Sequence, residues 1–113
     1  MCMEISKEEL IRINKGFGGI LRNEASLDFA IDKQIESRLG EYTKLSYLIR
    51  AILVDHVFQD GNKKTAMFIA FMFANQTTKK VDGELLKHHI LSIASKNISD
   101  IEIITERMKN AIK

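Results

Sequence analysis

The chain has 113 residues, enough for one domain around one core, and its 45% apolar and 28% charged residues describe a folded chain rather than a disordered one. Its net charge of +2 is small and its basic residues are interleaved with acids, so direct nucleic-acid binding is not expected. Proline, the strongest helix breaker, is absent, and the longest apolar run, Ala66 to Ala74, is too short to span a bilayer. A lone cysteine, Cys2, and the acidic Glu4 where an apolar leader would begin point to a cytoplasmic, reducing location. No repeat or linker divides residues 1–113, which read as a single domain.

Six helices are predicted. Ser6 and Glu9 form a capping box for the first, which carries Leu10, Ile11 and Ile13 and ends near Lys15. Gly16-Phe17-Gly18-Gly19 follows as a loop, either a flexible connector or a flap that positions a target. Ser26 caps the second helix, with Leu27, Ala30, Ile31 and Ile35 on one face and Gly40 as its stop. Thr43 caps the third, whose stripe of Leu45, Leu48, Ile49, Ile52 and Leu53 continues to His56.

After a turn at Asp60-Gly61-Asn62, a fourth helix runs from about Lys63 to Asn75. It is apolar nearly all round, which predicts a helix in the middle of a bundle. Asp82 caps the fifth helix, carrying Leu85, Leu86, His89, Ile90 and Ile93. Ser99 and Glu102 cap the sixth, with Ile101, Ile104, Met108 and Ile112 facing inward. His88 and His89 are adjacent, so they face different sides and cannot share a metal as an i, i+4 pair could. The five methionines read as core filling.

The turn between the third and fourth helices concentrates chemistry. His56 can take a proton near neutral pH, and Asp60 is a hard oxygen ligand suited to Mg²⁺ on phosphates. Gly61 permits close backbone approach, and Asn62 can bond a phosphate oxygen or brace the loop. Lys63 and Lys64 add positive charge at a helix N-terminus, where unpaired N–H groups already favour anions. Singly each residue has a structural explanation; together they point to phosphate chemistry.

The run His56-Val57-Phe58-Gln59-Asp60-Gly61-Asn62-Lys63-Lys64-Thr65-Ala66 resembles the signature of the Fic/Doc family, His-x-Phe-x-(Asp/Glu)-(Gly/Ala)-Asn-(Gly/Lys)-Arg. It is most similar to the Doc (death-on-curing) branch, His-x-Phe-x-Asp-Ala-Asn-Lys-Arg-Thr-Ala. A weaker likeness extends to Ile5–Leu10, Gly19–Asn23 and Ser26–Ala30. The resemblance implies an all-α, compact six-helix bundle with the motif loop at the N-terminus of a buried central helix. It implies His56 as general base, Phe58 as a core anchor and Asp60 as metal ligand. Gly61, Asn62, Lys63 and Lys64 would bind the nucleotide's phosphates.

The implied activity is that of a Doc-like toxin. With Mg²⁺ and ATP it would transfer the γ-phosphate to a Ser or Thr of a translation component such as an elongation factor, under control of a separate antitoxin. Lys64 replaces the family's Arg and lacks its bidentate fork. Met67 stands where adenylylating Fic enzymes place a second Arg, which speaks for phosphate over AMP transfer. Gly61 is Fic-like and keeps a nucleotidyl-transferase as the alternative, with a non-catalytic binding module as a third reading. Ser37-Arg38-Leu39-Gly40-Glu41 approaches the inhibitory motif of self-inhibited Fic enzymes, but Gly40 breaks the helix and Tyr42 follows, so it reads as coincidence.

Overall fold

The structure, a computed structural model, describes residues 3–113; Cys2 lies outside the described residues. The helices are α1 (Lys7–Gly16), α2 (Glu24–Gln34), α3 (Glu41–Leu53), α4 (Asn62–Gln76), α5 (Gly83–Lys96) and α6 (Ile101–Ala111). Among the described residues there is no strand, only isolated antiparallel bridges between Leu21 and Phe58 and between Val81 and Ile112. The all-helical, six-helix expectation holds.

Local sequence decides the helix starts, though not always at the expected residue. The Ser6–Glu9 capping box forms on α1, and the Asp82 carboxylate accepts the Leu85 N–H on α5. On α2 the cap is Asn23, whose side chain accepts the Ser26 N–H, so Ser26 is a capped residue and not the cap. Gly40 does not stop α2, which ends at Gln34; it is the N-cap of α3, with Thr43 inside that helix. Ile35 therefore falls past the end of α2 and is 83% exposed. On α6 the carboxylate of Asp100 accepts from Glu102 and Ile103 N–H, which displaces the expected Ser99 cap by one residue. Side-chain acceptors of this kind are worth about 1 kcal/mol each.

The core forms around α3, not α4. Leu45, Leu48, Ile49 and Ile52 are fully buried, each contributing roughly 1.5–3 kcal/mol of transfer free energy. Helix α3 packs against α2, α4, α5 and α6. Helix α4 packs against α1, α3 and α5 and buries Ala66, Ile69, Ala70 and Phe73, but leaves Phe68 and Phe71 exposed. Its all-round apolar pattern thus marks one face on the core and one face open. Met3 and Met108 are buried, and Met67 and Met72 pack partly against the core, as core filling requires. The C-terminal end is tied back, with Asp82 N–H donating to Ala111 O and the Tyr42 hydroxyl donating to Ile112 O. No helix among the described residues is long and apolar enough to cross a membrane.

His88 is exposed, whereas both ring nitrogens of His89 are shielded and lack a hydrogen-bond partner. Burial, then the nearby Arg107 charge, then His88, hold the His89 pKa below its ordinary 6.5. The unfolded chain therefore takes up this proton first as pH falls. Stability from His89 should be intact above pH 6.5 and decline as pH drops through the folded-state pKa. Urea unfolding at about pH 7.5 and about pH 5.5 should show that loss, and a His89→Leu variant should show a smaller one.

Candidate functional site

The loop from α3 to α4 is held by its centre. Helix α3 ends at Leu53, and His56 adopts a left-handed φ of 51°, uncommon for a residue with a Cβ. This turn takes His56 off the apolar stripe it was expected to continue and exposes it, while Val57 and Phe58 enter the core at 0% exposure. The Phe58 anchor is thus present. Residues 20–23 run alongside: Arg22 and Asn23 N–H both donate to Val57 O (2.7 and 2.9 Å), and Gln59 N–H donates to Ile20 O (2.9 Å).

The far end of the loop is shaped by Gly61, which takes a φ of 73° as N-cap of α4. Its N–H donates to Asp60 Oδ1 at 2.8 Å. Asn62 Nδ2 donates to Phe58 O at 2.8 Å, so the carboxamide braces the loop, while its Oδ1 is shielded and unpartnered. No side chain caps α4, and its first backbone bond runs from Thr65 N–H to Gly61 O at 2.9 Å. The amides of Asn62, Lys63 and Lys64 are left open beside Gly61, the arrangement that attracts anions.

His56, Asp60, Gly61, Asn62 and Lys63 come together on one cleft of about 240 Å³, closed on the α5 side by Ala94 and Ser95. Lys64 does not line it; it faces a neighbouring groove with Met67 and Lys87. Among the described residues no three His, Cys, Asp or Glu side chains cluster as a metal site. The donor set here is one carboxylate, Asp60, with its second oxygen free of protein bonds. Such a site suits Mg²⁺ arriving on a polyphosphate, since Mg²⁺ keeps waters and takes one or two carboxylates plus phosphate oxygens.

Asn14 is the residue that sequence reasoning missed. It is fully buried on α1, and its Nδ2 donates both to Asp60 O (2.9 Å) and to Thr65 Oγ1 (3.1 Å). One amide thereby joins the end of the loop to the first turn of α4. Its signal in the sequence was register: Asn14 lies four residues after buried Leu10, a polar residue at a core position. The glycine loop is part of the same clamp. A Cβ on Gly19 would collide with the Asn14 side chain and the Asp60 carbonyl, and one on Gly61 would press on Phe17.

Comparison with known proteins returns no match: no family model, curated protein or solved structure matches this chain.

Replacing Asn14 by Leu leaves the Asp60 carbonyl and the Thr65 hydroxyl unpaired, so unfolding free energy should fall by about 1–3 kcal/mol. Gly19→Ala should cost a similar ~1–3 kcal/mol through overpacking. His56→Ala, at an exposed side chain, should stay within about 0.5 kcal/mol of the parent. Urea denaturation of the three variants measures all of these.

Proposed function

We propose that this chain is a Fic/Doc-type protein-modifying transferase, acting as a Doc-like kinase that moves the γ-phosphate of ATP to a Ser or Thr hydroxyl. The observation that carries the reading is the convergence of His56, Asp60, Gly61, Asn62 and Lys63 on one cleft at the uncapped N-terminus of α4. Motif residues with only structural duties would have no need to share a cleft.

In this reading the triphosphate lies against the free amides at the start of α4, with Lys63 beside it. Asp60 would hold a Mg²⁺ ion arriving with the nucleotide, and that ion would supply positive charge to offset that of the phosphates. His56 accepts the proton of the attacking hydroxyl as oxygen bonds to phosphorus and ADP departs. Lys64, outside the cleft, contributes long-range charge and not a direct grip. That placement makes the Arg-to-Lys departure less damaging than at a bidentate contact. The acceptor is a component of the translation machinery, with a separate antitoxin as the regulator.

Purified protein and a His56→Ala variant, each with Mg²⁺ and cell extract, should be supplied with ATP labelled at either the γ or the α position. Protein labelling from γ alone, reduced about a hundredfold or more in the variant, is the expected result. Labelling from α would move the protein to the nucleotidyl-transferases. No labelling from either would replace the enzyme by a binding module.

A further inference from the structure

Away from the motif, the least explained surface is the outer side of α4 and α5. Met67, Ile90 and Leu91 line a groove of about 220 Å³ there, with Lys63, Lys64 and Lys87 around it. A second groove of about 450 Å³ shares Lys63 and Leu91 with the first and adds His88, Ser92, Ser95 and Lys96. It shares Lys63 and Ser95 with the motif cleft, so the three depressions adjoin. Phe68 and Phe71 on α4 are each 46% exposed, with the Phe68 ring edge-on to Phe17 and outside both grooves.

The charged side chains that line these two grooves are lysines. Neither groove is lined by a carboxylate. Three lysines elsewhere are neutralised: Lys7 pairs with Glu24 and Asp28, Lys33 with Glu36 and Lys79 with Glu41. Among the described residues, Lys63, Lys64, Lys87 and Lys96 form no ion pair. Four lysines without an ion pair thus surround an uncovered apolar strip. Apolar surface of this kind marks interaction sites, and the surrounding charge selects the partner's sign.

We propose that the α4–α5 groove docks an acidic segment of the acceptor protein, its aliphatic side chains on Met67 and Leu91 and its carboxylates among the lysines. A second copy of this chain fits poorly, because its matching face would bring lysines against lysines. A nucleic-acid strand would meet the cations but leave the aliphatic floor unmatched. Only the identity of the segment's owner rests on the transferase reading; docking is tested apart from it, without nucleotide.

The probe is a fluorescent peptide alternating Glu and Leu, with a Lys/Leu peptide and a single-stranded RNA as comparisons, titrated by anisotropy at low and high salt. The Glu/Leu peptide should bind, weaken with salt, and lose about tenfold or more in affinity to the Lys87→Glu and Lys96→Glu variants. Amide shifts on binding should centre on Met67 and Leu91. A Leu91→Asp variant that folds normally by circular dichroism should also lose the peptide. Equal binding of the Lys/Leu peptide, preference for RNA, or shifts elsewhere on the chain would each overturn docking, whatever the labelling assay finds. Labelling from γ-labelled ATP with no peptide binding would leave the kinase reading in place and remove this one.

Discussion

The geometry of the cleft depends on burial of Val57 and Phe58 in the middle of the loop that joins α3 to α4. Two side chains at 0% exposure inside a connecting segment are costly to pull out, so the polar residues on either side are set by where the core takes hold. His56 is turned outward on one side of this anchor, and Asp60 and Gly61 are placed on the other. Asn14 and the strand-like run at residues 20–23 then fix the backbone around it. A loop held this way can present free amides and exposed side chains without losing its shape.

Some of the unsatisfied or strained groups lie at this end of the molecule, and others, such as His89 and Thr78, lie elsewhere. Asn14 Oδ1 and Asn62 Oδ1 are shielded without partners, His56 has a left-handed φ, and α4 has no side-chain cap. Helix α3 also starts without one, whereas α1, α2, α5 and α6 each begin with a side-chain cap. A buried polar group left without a partner typically costs about 1–3 kcal/mol. The two shielded asparagine oxygens at this loop are carried by the stability of the remaining fold. Apolar surface and unpaired lysines also lie beside the motif, in the groove lined by Met67, Ile90 and Leu91.

Much of the fold was legible because the signals are local. The capping box at Ser6 and the cap at Asp82 act within one helical turn, and the 3.6-residue stripe of α3 needs no distant partner to be recognised. The errors arose where two neighbouring residues offered the same service. Asn23 displaced Ser26, Asp100 displaced Ser99, and Gly40 opened a helix instead of closing one. Which competitor wins depends on the path of the incoming chain, a property of the packed molecule.

The candidate site divides in the same way. The sequence alone determined the residue set from His56 to Lys64, because its chemistry is packed into one short stretch between two recognisable helices. It also determined that Gly61 would be the turn, since a left-handed φ there favours the residue without a Cβ. Tertiary structure decided the rest. It left Lys64 out of the cleft that Lys63 lines, made α3 and not α4 the central helix, and brought Asn14 across to Asp60 and Thr65. Periodicity reports which faces of a helix are apolar, but only the positions of the other helices decide which of those faces are covered.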